Sequence, residues 1–198
     1  MPSRSVANAV DYVGGNPVIT ADPAVFDDCS HIILLGVGAF ASCMEGLAAR
    51  GLVEILERQV RVKGKPMLGI CVGAQMLARA GLENGRHQGL GWLDAEVVPF
   101  DRTRTGRLKV PHMGWNRVDP VADHPLFAHL KGEQMHFYFV HSYHLDCCDP
   151  ADVLATCTYG YPFTAVVRRD NIVATQFHPE KSQDSGIQIY ENFINWSL

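Results

Sequence analysis

Apolar residues recur at two different periods along the chain, and the change of period divides it in half. Over residues 4–13, Val6, Ala9, Val10 and Val13 fall at helical spacing, and the following "GGNP" stops the pattern. "PVIT" (17–20) predicts a short strand. "HIILL" (31–35) is an unbroken apolar run, which predicts a strand buried on both faces. "GVGAF" (36–40) predicts a tight loop, and residues 41–62 predict two helices broken near Gly51. "PMLGI" (66–70) predicts another buried strand, followed by a helix from about Gly73 to Ala80.

Beyond residue 95 the helical period gives way to strands. "AEVVPF", "MHFYFVHSY", "DVLATCTYG", "FTAVVRR" and "NIVATQF" predict successive strands, with "RRDN" (168–171) turning the last pair. In "DSGIQIYENFINWSL", Ile187, Tyr190, Ile194 and Trp196 return roughly to helical spacing, with Asp184 or Ser185 as the predicted N-cap. Strand–helix alternation followed by strands predicts an α/β fold. Its three-layer, open, mixed and mainly parallel sheet is flanked by helices and extended by antiparallel strands. The absence of repeats, low-complexity tracts and linkers makes residues 1–198 one expected domain.

Composition narrows the function classes. Hydrophobic residues make up 47% and charged residues 19% of the 198, the balance of an ordinary globular protein with a real core. The net charge of -4 argues against a whole-molecule preference for nucleic acid. The basic stretch "RTRTGRLK" (102–109) is read as a solvated loop. No apolar run approaches the roughly 18 residues of a membrane span, and the first ten residues lack a cleavable leader pattern. The expected location is the cytoplasm, where the six cysteines stay as thiols. No CxxC pair occurs. His136, His141, His144, Cys147 and Cys148 form a metal-like cluster in sequence. Strand alternation, however, sends His136 and His141 to opposite faces, and no known ligand spacing is present. These five are expected to be a mixture of surface and loop residues, and neither metal nor cofactor is expected.

The residues that carry chemistry begin at "GICVG". Gly69-Ile70-Cys71-Val72-Gly73 places a cysteine between glycines, at the junction of a buried strand and a helix. This is the thiol form of a nucleophile elbow. The glycines relieve crowding at the turn, the helix N-terminus favours thiolate, and the Val72 N–H is an oxyanion donor beside the attacked carbonyl. A thiol nucleophile needs a base, and the base an orienting group. Among nine histidines the best placed is His178, in "QFHPEKS" at the end of a predicted strand. Pro179 biases His178 towards an extended conformation, where Glu180 points the same way and can accept the Nδ1 proton.

Five stretches, "GVGAF", "GKPMLGICVGAQML", "VPHMGWN", "YFVHSY" and "QFHPEKS", together resemble the class I glutamine amidotransferases. Within them the chain is most similar to the glutaminase subunits of imidazole glycerol phosphate synthases. The resemblance implies a flavodoxin-like fold and a Cys71–His178–Glu180 triad that hydrolyses glutamine through a thioester. It implies a second oxyanion donor at Val37 or Gly38, and Gln75 and Glu83 at the polar ends of the substrate. Ser142 and Tyr143 would line the same pocket with backbone. It further implies a (β/α)8-barrel cyclase partner docked on Trp115, Asn116, Tyr138 and Lys181. Ammonia passed to that partner would react with a phosphoribulosyl aminoimidazole carboxamide, giving imidazole glycerol phosphate and an aminoimidazole carboxamide ribotide.

Two departures from the family pattern carry expectations of their own. The family's opening strand and turn have no counterpart before "RSVANAV", so the first strand is expected to be missing and the start to be misassigned. Leu35 stands where the family has proline, which is expected to loosen the oxyanion loop and alter its dependence on the partner. Two other functions fit the resemblance: the same glutaminase chemistry feeding another acceptor, such as a polysaccharide sugar, or a non-catalytic scaffold subunit. A thiol hydrolase or redox protein acting on another substrate is the remaining alternative.

Overall fold

The computed structural model describes residues 2–197. The first half alternates as expected. Helix α1 (Pro2–Tyr12) turns Val6, Ala9 and Val10 into the core. After α2 (Pro23–Asp28) come β1 (Ile32–Gly36), α3 (Phe40–Ala48) and α4 (Leu52–Leu56). Gly51 takes a left-handed conformation (φ 63°) between α3 and α4, the break that its sequence position predicts. α4 runs on as a π-helical turn over Glu57–Val62. Strand β2 (Met67–Cys71) is buried at every residue, and α5 (Val72–Gln75) follows without a spacer.

The remaining elements are β3 (Ala80–Gly81), β4 (His87–Gln88), β5 (Ala95–Pro99), α6 (Arg102–Thr105), β6 (His112–Pro120) and β7 (His136–His141). They continue through β8 (Tyr143–Cys147), β9 (Val153–Tyr159), β10 (Tyr161–Arg169), β11 (Ile172–Thr175) and α7 (Gln183–Ile194). The main sheet runs β1-β2-β11-β10-β8-β5-β3-β4, with β6, β7 and β9 joined to it through β9–β10 pairing. It is mixed. β1, β2 and β11 are mutually parallel, while β10 with β11, β8 and β9 is antiparallel. Helices flank it in two groups: α1 packs on α7, and α4 packs on α2 and α3. The parallel part carries the residues of interest, because the pairing of β2 with β11 stops at Ile70 and Thr175, next to Cys71.

Several expectations are corrected. "PVIT" forms no strand: Val18 and Ile19 are 62% and 61% exposed, and no strand lies alongside to pair with them. β1 is not buried on both faces, because it ends the sheet; Ile32, Leu34 and Gly36 are inside while Ile33 and Leu35 are half-buried. The helix after Cys71 stops at Gln75 instead of running to Ala80. The carbonyls of Met76, Leu77, Ala78 and Arg79 are claimed instead by the N–H groups of residues 89–93, which drape across them. α7 begins at Gln183, before the predicted caps, and Ser182 occupies the N-cap position without a side-chain cap bond. The basic stretch is partly helical, and its Arg104 guanidinium sits 4.0 Å above the Tyr161 ring.

Candidate active site

Cys71 ends β2 with φ 55° and ψ -114°, a backbone conformation that side-chain-bearing residues rarely adopt. The packing around it explains how that strain is held. The α5 backbone lies so close to β1 that a Cβ on Gly73 would overlap the Leu34 carbonyl oxygen. A Cβ on Gly36 would stand 2.6 Å from the Gly73 nitrogen. Gly36 and Cys71 are paired across β1 and β2, so the two glycines press the elbow against the neighbouring strand. α5 has only four residues, so its dipole supplies much less charge at the sulfur than the longer expected helix.

His178 follows β11 and is buried to 2% exposure. Its backbone is fixed on both sides: His178 N–H donates to the Tyr138 carbonyl at 2.9 Å, and the Ser182 hydroxyl donates to the His178 carbonyl at 2.7 Å. The Nδ1 of His178 is 2.7 Å from Oε1 of the fully buried Glu180. His178 is extended as predicted, but Glu180 reaches it through a 3-10 turn over Pro179–Lys181, not by a continued extended chain. Burial acts to lower the His178 pKa; the Cys71 sulfur and Glu180 carboxylate outweigh it and raise the imidazole to about 9. A raised pKa keeps the ring protonated at neutral pH, between the Cys71 sulfur and the Glu180 carboxylate. Tyr190 adds its hydroxyl 3.5 Å from Glu180 Oε2.

The other predicted residues divide into groups. Gln75 Nε2 donates to the Tyr143 carbonyl at 3.0 Å and to Gln176 Oε1 at 2.9 Å. The Ser142 carbonyl is occupied by the Phe100 N–H at 3.1 Å. Glu83 Oε2 accepts the Phe40 N–H at 2.8 Å, so one carboxylate oxygen closes the first turn of α3, whose own N-cap residue, Ala39, has no side-chain bond. Val37 is half-exposed and its carbonyl accepts the Cys43 thiol at 3.4 Å; Gly38 follows with φ 100°. Val72 leads α5 directly after the sulfur-bearing residue.

On the adjoining arm, Trp115 and Tyr138 are paired across β6 and β7, with ring centroids 6.3 Å apart. Lys181 Nζ lies 5.8 Å from the Tyr138 ring. Trp115 and Met113 are 47% and 62% exposed on the same side of β6. Asn116 departs from the expected docking set: alternation turns its side chain to the other face, where it donates to the Thr158 carbonyl at 2.9 Å.

Sequence reasoning missed Gln176, whose Nε2 is 3.9 Å from the Cys71 sulfur. Its signal was present, since Gln176 and His178 share one side of an extended segment. It also misplaced His141 and His144, which are buried in an aromatic cluster with Phe100 and not in surface loops. Among the described residues no group of three or more His, Cys, Asp or Glu could hold a metal ion. Burial pushes the Cys147 and Cys157 thiols up to about 12, which leaves them poor nucleophiles.

The family model for glutamine amidotransferase class-I matches residues 19–196.

This chain belongs to the class I glutamine amidotransferases.

Among its relatives, "Imidazole glycerol phosphate synthase subunit HisH 2" of Nitrobacter winogradskyi is 47% identical, covering 98% of this chain and 93% of the relative. The protein of the same name from Pseudomonas aeruginosa is 46% identical over 96% and 92%. Two solved structures share the fold at a TM-score of 0.71. One is described as a glutamine amidotransferase (18% identity, 95% of this chain and 90% of that one), the other as PurLQS from Thermotoga maritima (19% identity, 97% and 91%). As an amidotransferase of this class, the chain is a glutaminase. No helix among its described residues is long and apolar enough to cross a membrane.

Proposed function

We propose that this chain is the glutaminase subunit of an imidazole glycerol phosphate synthase, working as one domain in the cytoplasm beside a (β/α)8-barrel cyclase. The observation that supports the chemistry is a strained Cys71 beside a buried His178 whose Nδ1 is bonded to Glu180, an arrangement that raises the imidazole pKa. The Cys71 sulfur attacks the side-chain carbonyl of glutamine. Negative charge on the carbonyl oxygen is met by the Val72 N–H and by that of Val37 or Gly38. The C–N bond breaks as His178 gives its proton to the departing ammonia, leaving a glutamyl thioester on Cys71. Water then attacks the thioester, His178 takes the water's proton, and glutamate leaves. Gln75 and Glu83 hold the substrate's polar ends, and the backbone of Ser142 and Tyr143 lines the same pocket.

The docking face is the exposed Trp115 and Lys181 with the half-buried Tyr138 in contact between them, and Asn116 supports it from behind. Its tie to catalysis is short: the Tyr138 carbonyl holds the His178 N–H, and its N–H is held by Ser182 at 3.0 Å. A partner pressing on Tyr138 therefore acts one hydrogen bond from the catalytic imidazole. Co-expression with a barrel cyclase, followed by purification and glutamate release with and without the cyclase substrate, tests this reading. A stable pair whose glutamate release rises many-fold when the cyclase is loaded supports it. Glutamate release indifferent to the cyclase and its substrate would point to another acceptor, and no Cys71-dependent release at all would point to a scaffold.

A further inference from the structure

Behind the docking strand lies a run of buried polar contacts that the triad does not use. His112 opens β6 and pairs with His141 at the end of β7. His112 Nδ1 is 3.0 Å from His141 Nε2, and His141 Nδ1 is 2.8 Å from the Tyr143 carbonyl oxygen. On the far side, Asn116 Nδ2 is 3.4 Å from His112 Nε2. That amide is oriented by two further bonds, one from Nδ2 to the Thr158 carbonyl and one from the Arg117 N–H to Oδ1.

The chemistry of these groups fixes every proton. A carbonyl oxygen only accepts, so His141 carries its hydrogen on Nδ1. Burial drives the His141 pKa well below the usual value, so the ring is neutral and its Nε2 is bare. His112 must then donate from Nδ1, and burial lowers its pKa to about 4, so its Nε2 is bare as well. Asn116 donates to that nitrogen. All three bonds point one way, from Asn116 through two imidazoles to the Tyr143 carbonyl. The same carbonyl accepts Gln75 Nε2, which also donates to Gln176, whose own amide nitrogen faces the Cys71 sulfur.

We propose that His112 and His141 are positioning residues for glutamine hydrolysis: a one-way pair of neutral imidazoles, anchored by Asn116, that holds the Tyr143 carbonyl and so fixes the Gln75 and Gln176 amides beside Cys71. The proposal rests on the reading of this chain as a glutaminase with Cys71 as its nucleophile. Among the described residues, neither ring of the pair hydrogen-bonds to the Cys71 sulfur or to the His178–Glu180 couple. Its effect is on how the pocket is held, which enters ground and transition states alike and is read in KM more than in kcat.

Two substitutions separate positioning from packing. His112 is stacked between Tyr159 and Phe139, with centroids 4.0 Å and 4.8 Å away. His112→Phe keeps an aromatic ring in that stack and removes the donor. His112→Asn gives up the ring but keeps an N–H donor near the Nδ1 position. In complex with the cyclase, His112→Phe is expected to raise the glutamine KM about tenfold with kcat nearly unchanged, the loss of one buried hydrogen bond. His112→Asn is expected to return KM to within about threefold of wild type despite a lower thermal midpoint. If KM instead follows the thermal midpoint, with His112→Phe near wild type and His112→Asn impaired, the role is packing and the proposal falls.

Nitrogen-15 spectra of the wild-type imidazoles give a second measurement that needs no variant to fold. Both rings are expected as neutral Nδ1–H tautomers at pH 7, and an Nε2–H form at either ring overturns the assignment. Failure of the wild-type complex to release glutamate in a Cys71-dependent way would remove the glutaminase reading itself. Failure of the His112 ranking alone, with Cys71-dependent release intact, would remove only this proposal.

Discussion

His178 and Glu180, two residues apart, meet through a 2.7 Å hydrogen bond that both make from fully buried positions. A buried carboxylate one bond from an imidazole is costly unless the ring is charged. The Cys71 sulfur and the Glu180 carboxylate together raise the His178 pKa against burial, and the bond from Nδ1 to Glu180 sets the tautomer.

Replacing Glu180 by Gln removes one of the influences that lift the imidazole. His178 is raised from 6.5 to about 9, so its protonated form is complete well below that pH and is lost as pH rises through it. The alkaline limb of kcat/KM for glutamine should lie near pH 9 in wild type and move to lower pH in Glu180→Gln. The rate should also drop by roughly a thousandfold, since the ring loses its orienting partner. Stability has the same sign: the His178 contribution is full below pH 6.5 and fades towards about 9. The wild-type thermal midpoint should accordingly fall more between pH 7 and 10 than that of the variant. Superimposable pH profiles for the two proteins would show that Glu180 does not govern the ring.

Gly73→Ala places a methyl group into the Leu34 carbonyl, a backbone atom that cannot swing away. The elbow must shift, at a cost of about 3 kcal/mol. The thermal midpoint should fall by about 6–12 °C, and glutaminase activity should fall further than stability because Cys71 moves with the turn. Calorimetry alongside glutamate release reads both. A variant with wild-type melting and turnover would mean that the close approach of α5 to β1 has no bearing on the nucleophile.

Trp115→Ala removes a half-exposed ring that, among the described aromatic side chains, packs on Tyr138. Association with the cyclase should weaken by at least tenfold, as central aromatic anchors do, while the thermal midpoint of the free subunit stays within a few degrees. Binding measured by calorimetry or sedimentation checks it, and unchanged affinity would move the docking face elsewhere.

Much of this was readable in the residues, and where it was not the cause is physical. The strained turn at Cys71, the proposed nucleophile, was legible because Gly69, Gly73 and the apolar run before it are a local signature. His178 and Glu180 were legible because two residues of separation forces them together whether the turn is extended or 3-10. What sequence could not supply was long-range. The helix after Cys71 pattern-matched to Ala80, yet residues 89–93 take its carbonyls, a contact that no local window contains. "PVIT" has strand chemistry and no strand neighbour, so its propensity went unused. His112 and His141 are 29 residues apart, and their pairing follows from the β6–β7 register alone. Lone histidines are read as surface groups until the register brings a second ring and a carbonyl to them.

The most direct test of the account is to trap the nucleophile. The subunit in complex with its cyclase is treated with a glutamine-analogue electrophile, digested, and mapped by mass spectrometry. The expected result is a single adduct on Cys71, blocked by excess glutamine and slowed in Glu180→Gln, while Cys147 and Cys157 stay unmodified. An adduct on another residue with Cys71 left free, or labelling that glutamine does not prevent, would contradict the assignment of Cys71 as the group that opens the amide.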